Sequence, residues 1–93
     1  MNEYTPTTAR GKARQILLQQ ANRRSGEQAL AFAIIERAVA DVLGSAMDLE
    51  PPLRKQEVKA AREWMRTERF ESFCYACDLE PCWVRSVAKR FEQ

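Results

Sequence analysis

The sequence predicts an all-α fold, a small bundle of four to five helices that ends in a helix-turn-helix-like pair. Three observations support this fold class. The chain has only three glycines in 93 residues, no stretch in which apolar and polar residues alternate as in a half-buried strand, and apolar residues that recur at helical spacing. Hydrophobic residues at 45% and charged residues at 30% are typical of a soluble globular protein. We therefore expect residues 1–93 to form a single helical domain around one core.

The first helix is marked at its start by Thr5-Pro6, which matches an N-cap followed by a proline at the first helical position. Five apolar residues then fall on one face of a helix: Ala9, Ala13, Ile16, Leu17 and Ala21. The sequence leaves open whether residues 1–8 are ordered or form a disordered tail.

The second helix has the clearest signals in the sequence. Ser25-Gly26-Glu27-Gln28 matches a capping box, and Gly44 lies where a helix commonly ends in a left-handed residue. Residues 30–35 are apolar on nearly every side of the helix. Because such a helix must be surrounded by other elements, we expect it to be the central element of the core.

The third helix is expected from about Pro52 to Arg66, after a loop with the sequence SAMDLEPP. The residues expected to form its buried stripe are Leu53, Ala60, Ala61, Trp64 and Met65. Four cations are expected to face outward: Lys55, Lys59, Arg62 and Arg66. This separation of apolar and charged residues is typical of an amphipathic helix at the surface of a bundle.

Residues 68–91 predict two short helices joined by a tight turn. Thr67 can cap a fourth helix from Glu68 to Cys77, and Pro81 can open a fifth. A helix-turn-helix needs a small residue where the helices cross, a turn residue that tolerates a positive φ angle, and an apolar anchor. These three positions are occupied by Cys74, Asp78 and Leu79. Each helix also has an apolar face that can pack against the other helix. The two faces consist of Phe70, Phe73, Cys74 and Cys77 on the fourth helix, and of Val84, Val87, Ala88 and Phe91 on the fifth.

The outward face of the fifth helix is the first candidate binding site. It would carry Cys82, Arg85, Ser86 and Lys89, with Arg90 nearby. Arginine can read guanine bidentately, and lysine or serine can hold phosphates, so this face has the residues to enter a major groove. Glu80 opposes this interpretation, because it places an acid near the position at which a phosphate would dock. Trp83 lies beside the buried face, either as a packing residue or as an anchor for a partner.

The charged residues are distributed unevenly, although the net charge is only +2. Residues 1–24 carry five bases and one acid, residues 25–53 carry one base and five acids, and residues 54–93 carry nine bases and seven acids. Three cations of the N-terminal segment, Arg10, Lys12 and Arg14, are therefore candidates for a further contact with a nucleic acid or another partner. Ordinary solvated helix faces are the alternative explanation.

Three cysteines within nine residues, Cys74, Cys77 and Cys82, raise the question of a metal site. Zinc sites normally have four ligands, and the chain contains neither a histidine nor a fourth cysteine. Because Cys74 and Cys77 share the apolar face of the fourth helix, we expect reduced thiols in the core and no metal. The chain also lacks the residues for acid–base catalysis and a phosphate-binding glycine loop, so we expect neither an enzyme nor a cofactor.

A family resemblance supports the same segment. The stretch KAAREWMRTERFESFCYACDLEPCWVR resembles the C-terminal part of small proteins encoded in phages and prophages of proteobacteria. Those proteins carry a similar succession of an Ala-Arg-x-Trp helix, a Phe-x-x-x-Cys helix, a Leu-acid-Pro turn and a Val-Arg helix. In this chain the corresponding residues are Ala61, Arg62 and Trp64, then Phe70 and Cys74, then Leu79, Glu80 and Pro81, and finally Val84 and Arg85.

The segment IIERAVADVL is similar to that family as well, so the resemblance covers about residues 30 to 86. It departs from the family at Asp78, where the family pattern has glycine. The resemblance implies an uncharacterised helical protein in a phage setting, and it implies no specific mechanism.

Two functions follow as hypotheses. The first is a small phage-type regulator that binds DNA, as a monomer or a homodimer, through Arg85, Ser86 and Lys89 with help from the basic N-terminal segment. The alternative is a non-enzymatic phage protein that binds a host protein, such as RNA polymerase or a defence-system component, and inhibits or redirects it. No run of about 18 apolar residues suggests a membrane span, and the chain starts without the apolar stretch of a signal peptide. We therefore expect either protein to act in the cytoplasm of the host cell.

Overall fold

The computed structural model describes residues 6–44 and 50–92, and within these ranges the chain forms five α-helices and no strand. The helices are α1 (Pro6–Gln20), α2 (Gly26–Val42), α3 (Pro51–Trp64), α4 (Glu68–Ala76) and α5 (Pro81–Phe91). The predicted all-α bundle, with a short helix pair at its C-terminal end, is confirmed. Two predicted features lie outside the described residues. They are the N-terminal segment 1–5, which includes the predicted cap Thr5, and residues 45–49 of the predicted loop.

Side chains and backbone geometry fix several helix ends as the sequence predicts. The Ser25 hydroxyl accepts a hydrogen bond from the Gln28 backbone N–H at 3.1 Å, and the Gln28 side chain accepts one from the Ser25 backbone N–H at 3.3 Å. This reciprocal pair is the predicted capping box of α2. Gly44 follows the end of α2 with a φ angle of 72°. Thr67 caps α4 by accepting a hydrogen bond from the Phe70 N–H.

α2 lies at the centre of the bundle, where it packs against α1, α3 and α4. α5 packs against α1 and α4. The largest fully buried side chains come from four helices and the turn before α5: Leu17, Ile35, Phe70, Cys74, Cys77, Pro81 and Val84. One continuous apolar core therefore joins the C-terminal helix pair to the rest of the domain. None of the described helices is long and apolar enough to cross a bilayer.

One expectation for α2 is wrong, because its apolar first half is enclosed on one side only. Ala31, Phe32 and Ile35 are buried, but Leu30 is 63% exposed and Ala33 is exposed as well. The groove between α2 and α3 is lined at one end by Ile34 and Trp64, the last residue of α3.

The buried stripe of α3 also differs from the prediction. Ala61 and Met65 are buried and Trp64 is half-buried, whereas Leu53 is 47% exposed and Ala60 is exposed. At 100° per residue, Leu53 and Ala60 lie about 80–100° around the helix axis from Ala61. The buried face of α3 is therefore rotated around the helix axis from the predicted face, toward Ala61 and Met65.

Candidate nucleic-acid interface

The turn between α4 and α5 has the geometry that a left-handed helix end requires. Asp78 has a φ angle of 60°, as predicted for the turn position. Its backbone N–H donates to the Tyr75 carbonyl at 3.1 Å, and the Leu79 N–H donates to the Cys74 carbonyl at 2.8 Å. These two hydrogen bonds form a Schellman motif, in which an aspartate replaces the usual glycine. Leu79 is buried as the predicted apolar anchor of the turn.

Asn22, in the connection between α1 and α2, holds this turn from outside the helix pair. Its backbone N–H donates to the Cys77 carbonyl at 2.8 Å, and its side-chain amide donates to the Asp78 carboxylate at 2.9 Å. The sequence analysis missed this contact, because nothing in the pattern around residue 22 indicates a partner far along the chain. The contact explains how Asp78 is kept in a conformation that glycine adopts more easily.

The start of α5 is closed by its own cap. The Glu80 carboxylate accepts hydrogen bonds from the backbone N–H groups of Cys82 at 2.9 Å and Trp83 at 3.2 Å. A carboxylate at this position stabilises the positive end of the helix dipole. It also occupies the donors that a phosphate would need, so this helix start offers no site for a phosphate.

The exposed surface of α5, called here the α5 face, consists of Cys82, Ser86, Lys89 and Arg90. Cys82, Ser86 and Lys89 were predicted to face outward, and Arg90 was predicted to lie nearby. Lys89 forms no ion pair with a described carboxylate, and the Arg90 guanidinium lies 5.7 Å from the centre of the Phe91 ring. The face therefore presents two cations and one hydroxyl, which are donors suited to phosphate and base edges.

The prediction for Arg85 is wrong, because this side chain bridges helices and does not face outward freely. Its Nε donates to the Met65 carbonyl at the end of α3 at 2.8 Å, and its Nη2 lies 3.1 Å from the Glu71 carboxylate on α4. Its guanidinium lies 5.1 Å from the centre of the Phe70 ring. These contacts engage Nε and Nη2 within the protein, and Nη1 lies 3.9 Å from the Cys82 Sγ, so Arg85 has a structural role in this fold.

Trp83 is half-buried and packs against the core, as the packing interpretation expects. A part of its side chain remains accessible to solvent. A contact between Trp83 and a partner stays a prediction.

The N-terminal cations are positioned less favourably than the sequence suggests. Arg10 and Arg14 both approach the Glu36 carboxylate of α2, each with a nitrogen 3.6 Å from Oε2. That oxygen is buried and has no hydrogen-bond partner, so the two guanidinium groups stabilise it as charges rather than as donors. Lys12 is exposed on α1 and has an interaction of its own. The acid on α2 therefore offsets part of the positive charge of this segment.

The cysteines divide as predicted into two core thiols and one surface thiol. Cys74 and Cys77 are buried and Cys82 is exposed, and all three are free. Burial raises the pKa of the Cys74 thiol from 9.0 to about 12, with a further contribution from the neighbouring Cys77. Burial also raises the pKa of Cys77. Metal ligation and nucleophilic attack require a thiolate, and this environment disfavours that form at both positions. Within the described ranges, no three cysteine or acidic side chains lie close enough together to hold a metal ion.

Alkylation distinguishes the core thiols from the surface thiol. We expect iodoacetamide to add a single group to the native protein near neutral pH, at Cys82, and to add three groups after denaturation. Intact-mass spectrometry measures both numbers, and Cys82→Ser is the control that should leave the native protein unmodified. Rapid modification of Cys74 or Cys77 in the native protein would contradict their placement in the core.

A row of cations along α3 is the feature that the sequence analysis left without a role. Lys55, Lys59, Arg62 and Arg66, called here the α3 row, are all exposed. Lys55, Lys59 and Arg62 have the spacing i, i+4 and i+7, which places them on one side of α3. Arg66 follows in the turn after the end of the helix at Trp64. Lys55, Lys59 and Arg66 form no ion pair with a described carboxylate, whereas Arg62 pairs with Glu92 at 3.0 Å.

Two adjoining grooves connect the α3 row to the α5 face. The first groove, of about 500 Å³, runs along α3 and is lined by Pro51, Arg54, Lys55, Val58, Lys59 and Arg62. The second, of about 260 Å³, lies between the end of α3 and α5 and is lined by Val42, Arg62, Met65, Arg66, Arg85, Ala88, Lys89 and Glu92. Arg62 belongs to both grooves, and Lys89 belongs to the α5 face. The cations of α3 and α5 therefore form one continuous surface, in which Glu92 is the only lining acid among the described residues.

Comparison with known proteins adds no assignment to this geometry: no family model, no curated protein and no solved structure matches the chain.

Proposed function

We propose that this protein binds duplex DNA through the α5 face and acts as a small regulator. The observation that carries the proposal is the α4–α5 pair, whose turn has a left-handed residue, a buried anchor and an exposed second helix with Ser86, Lys89 and Arg90. A second helix that lies in the major groove with polar and cationic side chains outward is the docking mode of helix-turn-helix proteins. The phage setting and a homodimer remain parts of this proposal.

The proposed interface differs from the sequence-based hypothesis in two respects. Arg85 is committed to contacts within the protein, so base and phosphate contacts come from Ser86, Lys89 and Arg90. Glu80 occupies the start of α5, so the middle and the end of the helix approach the DNA, and its first turn does not.

Fluorescence anisotropy with labelled duplexes of mixed sequence tests the proposal. We expect binding that weakens steeply between about 50 and 200 mM salt, because phosphate contacts release counterions. The variant Lys89→Gln/Arg90→Gln should lower the affinity about tenfold or more at 0.1 M salt. Arg24→Gln/Arg37→Gln removes the same charge from other parts of the surface and should bind like the wild-type protein. Absence of duplex binding, or equal losses in both variants, would contradict the proposal.

A protein partner is the second candidate, and the exposed apolar residues favour it. Leu30 is 63% exposed and Tyr75 is 61% exposed, and single large apolar side chains of this kind can anchor a protein interface. Affinity capture from a bacterial lysate, with and without nuclease, separates the two candidates. A protein that remains bound after nuclease treatment supports this second function, and a partner that disappears with the nucleic acid supports the first.

A further inference from the structure

The geometry points to a second DNA contact on α3. We infer that the α3 row, together with Lys89, forms a surface that binds the phosphate backbone of duplex DNA. This inference rests on the proposed function, since it assigns the positioning contacts of the same complex. The contacts that position the DNA backbone are made by the α3 row, and the N-terminal cations do not make them.

The spacing of the α3 row suits a regular line of negative charges. At 1.5 Å per residue, Lys55 and Lys59 are about 6 Å apart along the axis of α3, and Lys55 and Arg62 are about 10 Å apart. Arg66 follows in the turn after α3. A strand of duplex DNA carries a phosphate about every 3.4 Å along its axis. The row is therefore long enough to reach several phosphates of one strand.

The charge balance of this surface also favours a polyanion. Three members of the row form no ion pair with a described carboxylate, and the fourth, Arg62, lies beside Glu92. By contrast, Arg10 and Arg14 share the Glu36 carboxylate. Glu63 is exposed on α3 four residues after Lys59 but forms no ion pair with it. Cations outside ion pairs release more counterions when they meet a phosphate, so the α3 row has the stronger electrostatic attraction.

The composition of the two grooves favours phosphate over an acidic protein surface. Protein interfaces depend on large apolar or aromatic anchors in their centre. The exposed large apolar residues of the described chain are Leu30, Leu53 and Tyr75, and none of them lines either groove. The apolar lining of the grooves comes from smaller or buried side chains such as Val58 and Met65. The surface around the α3 row therefore offers cations without a large exposed apolar anchor, which suits a contact to a nucleic-acid backbone.

The test uses Lys55→Gln/Lys59→Gln, which removes two charges from α3 and leaves the α5 face intact. With the labelled duplexes of mixed sequence, we expect this variant to bind about tenfold or more weakly at 0.1 M salt. The slope of log K against log salt should fall by about two, because each lost phosphate contact removes about 0.9. The loss should be similar for every duplex sequence, since phosphates are the same in all of them.

The matched control is again Arg24→Gln/Arg37→Gln, and Ser86→Ala/Arg90→Gln reports on the α5 face without changing Lys89, which belongs to both surfaces. If the α3 variant binds like the control while the α5 variant loses affinity, the inference is wrong and the proposed function stands. If the α3 variant loses affinity while the α5 variant binds normally, the phosphate surface is supported and the role of α5 is wrong. If the wild-type protein binds no duplex, both are wrong. Circular dichroism of each variant establishes that it is folded.

Discussion

Replacing Phe70 with alanine is expected to lower the free energy of unfolding by about 3–5 kcal/mol. The Phe70 side chain is fully buried and lies edge-on to Trp64, with ring centres 5.7 Å apart. The guanidinium of Arg85 lies over the Phe70 ring, 5.1 Å from the ring centre. Truncation therefore removes apolar burial, an aromatic pair and a cation–π contact, and leaves a cavity between α3, α4 and α5. A domain of this kind has about 5–15 kcal/mol of stability, so the loss is a large fraction of the total.

Urea unfolding, followed by circular dichroism and tryptophan fluorescence, measures this change. Tyr75→Ala is the matched control on the same helix, because Tyr75 is 61% exposed and should contribute about 0.5 kcal/mol or less. Phe70→Leu keeps most of the apolar volume and should remain folded, with a smaller loss of about 1–2 kcal/mol. Similar stabilities for Phe70→Ala and Tyr75→Ala would show that Phe70 is not in the core.

Replacing Arg85 with alanine is expected to lower the free energy of unfolding by about 2–3 kcal/mol. The guanidinium donates to the Met65 carbonyl, pairs with Glu71 and covers Phe70, so it joins the end of α3 to α4 and α5. The Arg85 side chain is 32% exposed and that of Glu71 is 41% exposed, so solvent weakens the ion pair. Most of the expected loss therefore comes from the hydrogen bond to Met65 and from the contact with the ring.

Two further variants separate this structural role from a role in DNA binding. Arg85→Lys keeps the charge but not the planar fork, so it should lose about half as much stability as Arg85→Ala. Arg90→Ala, on the same helix, should change the stability by about 0.5 kcal/mol or less, because Arg90 is exposed and forms no ion pair with a described carboxylate. Thermal or urea unfolding without DNA gives the comparison. Equal stabilities for Arg85→Ala and Arg90→Ala would contradict the bridging role.

Local signals in the sequence predicted the five helices and several of their ends, whereas the third helix ends at Trp64 and not at the predicted Arg66. The capping box at Ser25, the cap at Thr67 and the hydrogen bonds of the turn at Asp78 each join residues within about one turn of one another. Interactions of this range are determined by residue type and spacing alone. The buried thiols, Cys74 and Cys77, were predictable for the same reason, because they repeat with Phe70 and Phe73 along one face.

The errors concern which helix covers which face. Helical periodicity places Leu30 and Leu53 relative to their own helix, but it does not say where a neighbouring helix ends. Arg85 has the spacing of an outward residue on α5, and only the position of the α3 end shows that its donors are used. The surface formed by the α3 row and Lys89 was unpredictable for the same reason, since it depends on how α3 lies beside α5.

The double hydrogen bond from Asn22 makes the terminal helix pair dependent on a distant part of the chain. Asn22 and Asp78 are separated by 56 positions, and both donors disappear in a fragment that contains only the last two helices. Such a fragment would keep the caps at Thr67 and Glu80 and the local hydrogen bonds of the turn, but it would lose both donors of Asn22. We therefore expect the bend to be less stable in the fragment than in the full domain, where closing it couples the two ends of the chain.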